Sequence, residues 1–327
     1  MAGRWTLGFV IAWGCGGAPA AGPADGSSST ESGSSSESSS SDDSSSAASR
    51  LDLAVSGDEL GCRKIDFLFV IDDSTSMADE QQRLIDGFPG FIAGVRETIL
   101  DFDHHVMVIT TGVGEPSFDP CENTLGTGRV RDSAGNDCGL LDDYLHGKRY
   151  IDSDHDDLEG AFACIADVGS NGDGDEKTIW ALADAITDQA GAGDCNEGFR
   201  RDDAILVVTI ISDEEDSPND GPPLGDNDDN SPGGPSSWKT GLVASSDVDE
   251  AAVVVLALVG DSDLDDGLCE PYEQAGVGAE PAPRLRALAE SFPYGSWASV
   301  CQDDYAQFFN RAIADIGSAC ADFDPPG

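Results

Sequence analysis

Positive charge is what this chain has least of. Lys and Arg number 17 against 63 Asp and Glu, a net charge of −46 over 327 residues. Binding to nucleic acid depends on Lys and Arg neutralising phosphates, so such a surface repels that class of partner. No Cys-x-x-Cys pair occurs, which argues against a thiolate zinc site. No apolar run reaches the roughly 20 residues that a membrane-spanning helix takes. Histidine is scarce: His104, His105, His146 and His155 are all there are. His104 and His105 open an expected strand, where neighbouring side chains point to opposite faces, so they do not share a metal. Gly-x-Ser-x-Gly, P-loop and His-Glu-x-x-His motifs are absent. A Ser/His/Asp triad is a spatial arrangement, and nothing in the sequence points to one. The chain is therefore read as a non-enzyme.

What is abundant is acid. It keeps the surface soluble and concentrates divalent cations, and it suits salt adaptation of a whole proteome equally well. At the N-terminus, Arg4 followed by the short apolar segment Leu7 to Trp13 reads as an export signal, residues 1–14. Ala12-Trp13-Gly14-Cys15 is similar to a bacterial lipobox, which would place a lipid on Cys15. The alternative is cleavage after Ala18-Pro19-Ala20, a small-x-small site. Setting Cys15 aside leaves eight cysteines, an even number that fits four disulfides in an oxidising compartment. Residues 15–50 are a lipid-anchored linker whose core, Gly26 to Ser49, is almost all Ser. It lacks the apolar residues for a core and is expected to be a flexible tether. The folded domain is placed at 51–327, and the membrane is met only through the lipid.

Apolar runs alternate with helical patterns along that domain. Strands are expected at 63–71, 105–111, 204–211, 251–259 and 297–300, with a short edge strand at 149–151. Helices are expected at 77–100, interrupted or bent near Gly87, Pro89 and Gly90, and at 156–168, 178–190, 283–292 and 303–319. Residues 112–148 and 213–237 read as long loops. The first strand ends in Asp72-x-Ser74-x-Ser76, one carboxylate and two hydroxyls on a tight turn. Hard oxygen ligands of this kind suit Mg²⁺, Mn²⁺ or Ca²⁺. The pattern alone is cheap, since Asp42-x-Ser44-x-Ser46 repeats it inside the Ser-rich tract. Weight comes from context: the 204–211 strand also delivers an acid, Asp213, at its C-terminal end. A simpler reading makes Ser76 the N-cap of the next helix, with Asp79 as its capping partner; both can hold. Asp173-Gly174-Asp175-Glu176 looks like part of a calcium loop but lacks the remaining positions of an EF-hand.

With these residues in view, the stretch from about Cys62 to Cys320 resembles a von Willebrand factor type A domain. The resemblance implies an α/β fold with a doubly wound, mostly parallel sheet flanked by helices, here with disulfide-stapled loop insertions. It implies a metal-ion-dependent adhesion site. Asp72, Ser74 and Ser76 match its first loop, Thr178 its second and Asp213 its third. The chain departs from the family pattern where Glu176-Lys177 precedes Thr178, so that Glu176 could replace the threonine. It departs again at Glu214-Glu215-Asp216, which would bind a second cation or face solvent. The cofactor implied is a divalent cation and the partner a protein offering an acidic side chain. The expected role is metal-dependent binding or adhesion at the cell envelope, on the outer membrane or cell surface. The alternatives are a structural or cation-binding surface protein, or a metal-dependent hydrolase. The disulfides expected are Cys62–Cys320, which related domains often form, with Cys121–Cys138, Cys164–Cys195 and Cys269–Cys301.

Overall fold

The computed structural model describes residues 61–113, 119–141, 147–172, 176–216, 231–246, 249–272 and 278–325. The expected export signal, Cys15, the Ser-rich tether and Asp173 to Asp175 lie outside the described residues.

The fold is α/β, and the described residues form a six-stranded mixed sheet with six α-helices. The strands are β1 (Lys64–Ile71), β2 (Asp103–Thr110), β3 (Ile151–Asp152), β4 (Ile205–Ser212), β5 (Val253–Val259) and β6 (Ser296–Ser299). Their order is β3-β2-β1-β4-β5-β6. All neighbours are parallel except the short edge pair β2–β3. The chain leaves β1 towards β2 on one side and reaches β4 on the other. The order therefore reverses between the ends of β1 and β4, where open sheets leave a crevice.

The helices are α1 (Ala78–Thr98), α2 (Leu158–Ala166), α3 (Thr178–Ile186), α4 (Pro235–Ser246), α5 (Pro283–Glu290) and α6 (Ala306–Asp322). The central strands are buried along almost all of their length because both faces are covered, and all but a few of their residues are apolar. Alternate side chains feed two cores. Phe67, Phe69 and Ile71 meet Phe88 and Phe91 of α1, Phe162 of α2 and Phe309 of α6. Leu68 and Val70 share the other core with Ile179 and Leu182 of α3, Trp238 and Leu242 of α4 and Leu285 of α5.

Three expectations change. Of the interruption or bend expected near Gly87, Pro89 and Gly90, the interruption does not occur: α1 continues through Pro89. The stretch read as loop to residue 237 gives way to α4 at Pro235. Two of the expected disulfides exchange partners. Cys62–Cys320 and Cys269–Cys301 form, but the first insertion is tied outward by Cys121–Cys195 and Cys138–Cys164 rather than stapled to itself. The second of these bonds fastens the insertion to α2, and the first to the segment after α3. Four disulfides are compatible with an exported protein. No helix of the described residues is long and apolar enough to cross a membrane.

The lower end of the sheet is compensated electrostatically. Asp66 is fully buried on β1 and accepts from Arg201 N at 2.7 Å, Arg201 Nε at 2.8 Å and Arg200 Nη1 at 3.2 Å. On the neighbouring strand, His104 is buried with Nδ1 3.1 Å from Ser153 Oγ. Burial, then the Arg96 charge, brings its imidazole down to about 4 from 6.5, with Arg201 and His105 acting the same way and Asp103 opposing. The unfolded chain thus binds the proton first. Stability from this site is whole above pH 6.5 and falls as pH drops towards 4. His104→Gln is expected to flatten the fall in urea midpoint between pH 6.5 and 4.5; an unchanged slope would place the acid sensitivity elsewhere.

Candidate functional site

β1 and β4 run in register to their C-terminal ends, Ile71 opposite Ile211. Asp72 N still donates to Ile211 O at 3.0 Å, so Asp72 belongs to the sheet and is fully buried. The chain then turns. Ser74 N donates to Asp72 Oδ1 at 2.7 Å, the Asx turn that an Asp-x-Ser sequence favours. From β4, Ser212 Oγ donates to Asp72 Oδ2 at 2.6 Å. Both carboxylate oxygens are thus fixed by short hydrogen bonds, one from each strand end. Unlike Asp66 on β1, Asp72 has no Lys or Arg bonded to it among the described residues.

Ser74 and Ser76 present their hydroxyls to each other at 3.2 Å. The N-cap reading of Ser76 is not what forms: the cap position is Met77, which carries no side-chain bond. Gln81, buried in the first turn of α1, ties the turn to a distant loop. Its Nε2 donates to Asp72 O at 3.1 Å and Gly169 O at 2.7 Å. The second loop is laid over the ends of β1 and β2. Gly172 N donates to Asp73 O at 2.7 Å, and Lys177 N to Thr111 O at 3.2 Å. Glycine at 172 permits this close approach, because a Cβ there would stand 2.7 Å from the Asp73 backbone carbonyl oxygen.

Glu176 and Thr178 follow, both buried, Thr178 at the head of α3. Asp213 lies just past β4, also buried. Glu176 Oε1, Thr178 Oγ1 and Asp213 Oδ1 are buried without a hydrogen-bond partner. Each such group costs about 1–3 kcal/mol. Burial raises the Asp72 carboxyl, opposed by the bonds from Ser212 and Ser74. Burial and then the Asp72 charge push Glu176 up to about 10, Asp213 to about 7 and Glu214 to about 8. The charges acting most strongly on these three are other carboxylates, as expected of a site that holds a cation or protons in their place.

The remaining acids have a different task. Glu215 accepts from Arg284 N at 2.7 Å and Leu285 N at 3.3 Å, at the start of α5. Asp216 accepts from Ile179 N at 2.8 Å and Ser231 Oγ at 2.6 Å, at the start of α3. They satisfy the free amides of two helix N-termini. With Glu214 they are buried, so the alternative in which these three acids face solvent is corrected.

The structure therefore gathers Asp72, Ser74, Ser76, Asp213 and Glu176 at one edge, with Thr178 buried at the adjoining helix start. Ser212 and Gln81 are the residues the sequence reading missed. For Gln81 a signal existed: it is a polar residue on the α1 face that Leu84 and Phe88 continue at helical spacing. Among the described residues, no three His, Cys, Asp or Glu side chains are gathered as metal ligands. The oxygen set at this edge is three hydroxyls and three carboxylates, all hard donors, and with the orphaned oxygens it fits a hard cation.

No protein-family model matches the chain, and no curated protein matches it. Among solved structures, it is similar to proximal thread matrix protein 1 from the mussel byssus in two structures. One has 14% identity, a TM-score of 0.39 and coverage of 79% of this chain and 49% of that one. The other has 15%, 0.35, 80% and 47%. It is also similar to the human COPII-coat protein Sec24c, with 10% identity, a TM-score of 0.35, and coverage of 81% of this chain and 34% of that one. The chain thus spans about half the length of the first two and a third of the last. At these scores the likeness carries no argument about fold or function.

Proposed function

We propose that this chain is a doubly wound, von Willebrand factor type A-like binding module that holds a divalent cation at Asp72, Ser74, Ser76, Thr178 and Asp213. The observation that carries the reading is the set of buried oxygens without donors, Glu176 Oε1, Thr178 Oγ1 and Asp213 Oδ1, beside two facing hydroxyls. When bound, Mg²⁺, Mn²⁺ or Ca²⁺ would offer an open coordination position to the carboxylate of a protein partner. Neutral hydroxyls leave the ion's charge under-compensated, which favours an anionic partner oxygen. Ser212 and the Ser74 amide orient Asp72 for this task, and Gln81 holds the turn. Glu176 is the alternative to Thr178 as second-loop ligand. The proposal extends to an exported, envelope-located protein anchored by lipid on Cys15.

The test is thermal unfolding after chelation, with Mg²⁺, Mn²⁺ or Ca²⁺ added back, for wild type beside Asp72→Ala. A ligand that binds only the folded state at a hundred times its Kd stabilises by about 2.7 kcal/mol. That gain is expected in the wild type alone. Equal gains in both proteins, or none, would end the metal reading.

A further inference from the structure

At the end of β2, against the edge just described, is a small cavity of about 30 Å³. Thr110 and Gly112 line it from β2 and the turn beyond, and Arg129, Arg131 and Arg149 from the segments beside it. Gly112 also borders the carboxylate edge, since a Cβ there would lie 3.5 Å from Asp73 Oδ1. Three of only 17 basic residues thus surround one cavity.

Two of the three are neutralised. Arg131 Nε donates to Glu122 Oε1 at 2.8 Å, and Arg149 pairs with Asp119. Arg129 differs. It is half-buried, its Nη2 donates to Arg131 O at 3.2 Å, and its Nε is buried with no acceptor. Among the described residues, no carboxylate is ion-paired with it. Asp73, Glu122, Asp167 and Asp132 act on its charge only through their fields. The other buried or half-buried arginines described are ion-paired or, like Arg284, donate to two carbonyls. In a chain so rich in acid, a half-buried arginine ion-paired with none of the described carboxylates is unexpected, because an unpaired buried charge is costly.

We propose that this cavity is a second anion subsite, in which Arg129 binds a carboxylate of the partner whose other acidic side chain reaches the cation. The link to that second acid rests on the metal-bridged reading; the subsite stands on Arg129 alone. An arginine fork matches a carboxylate in shape and charge, and Nε is one of the two donors such a bond uses. The partner is then recognised by a pair of neighbouring acidic side chains, one on the metal and one on Arg129.

The probe is acetate, added to the full chain in chelator at constant ionic strength, read from the arginine Nε–Hε NMR signals. A saturable displacement confined to Arg129, identified by its loss in Arg129→Gln, is expected. With Mg²⁺ present, glutarate is expected to bind about tenfold more tightly than acetate, and Arg129→Gln to remove that advantage. Arg129→Gln should melt no lower than wild type without anion, since it removes an unpaired charge. A lower melting point would make Arg129 a structural counter-charge to Asp73 and overturn the proposal. So would displacement reproduced by chloride, or spread over all arginines. Acetate binding without any Mg²⁺ gain for glutarate would leave the subsite and overturn its link to a cation-bound second acid. A Mg²⁺ effect with Arg129 unmoved would do the reverse.

Discussion

In chelator at pH 8, Asp213→Asn is expected to unfold at a higher temperature than the wild type, and in saturating Mg²⁺ the order is expected to reverse. The wild-type carboxyl titrates at about 7 because it is buried and faces Asp72. A folded-state value above the unfolded one means that its contribution to stability is intact below pH 3.8 and lost as pH rises to about 7. At pH 8 the metal-free protein therefore carries a penalty that the amide lacks. After allowance for solvent screening it is on the order of 2 kcal/mol. Metal adds about 2.7 kcal/mol to the wild type at a hundred times Kd, and little to the variant, which lacks the ligand charge. Melting both proteins in chelator and in Mg²⁺ checks the crossover. If Asp213→Asn is the less stable in both conditions, Asp213 is a structural acid and the site has no cation.

Removing the Cys62–Cys320 bond by Ala at both positions is expected to lower the unfolding free energy by about 5 kcal/mol. The bond joins residues 258 apart in sequence, so it constrains most of the unfolded chain. Removing Cys138–Cys164, with a separation of 26, is expected to cost about 3.5 kcal/mol on the same chain-entropy account. Urea denaturation of the two double variants gives the comparison. A larger loss from the short loop would mean that the native packing around Cys138 and Cys164, not chain entropy, sets the stabilisation.

The sequence made some parts of this architecture plain and hid others for physical reasons. β1, β4 and β5 are legible because burial on both faces demands unbroken apolar runs. Asp72 and Asp213 are legible because each interrupts such a run at its end. α4 was not legible: of its twelve residues Trp238 and Leu242 are buried in the core and Val243 packs half-buried against it, while Gly241 and four serines blur its period. The exchange of Cys138 and Cys195 between partners was equally hidden, because separation along the chain does not reveal which insertion folds across which helix. Glu215 and Asp216 looked like candidates for the site by proximity to Asp213. Their hydrogen bonds run instead to amides of α5 and α3, which no local pattern discloses. Ser212 was hidden because its bond to Asp72 depends on the register of β1 against β4.

β1 also defines a line of mechanical load. Its first residue follows Cys62, which is bonded to α6, and its last precedes Asp72. A pull applied at the candidate site and resisted at Cys62 runs along the strand. β1 is paired with β2 through Ile71↔Thr110 and with β4 through Ile71↔Ile211. Tension would therefore load the hydrogen bonds on both sides in shear, all at once, rather than peel them one at a time. The strand that carries the carboxylate is thus also the one best placed to bear force.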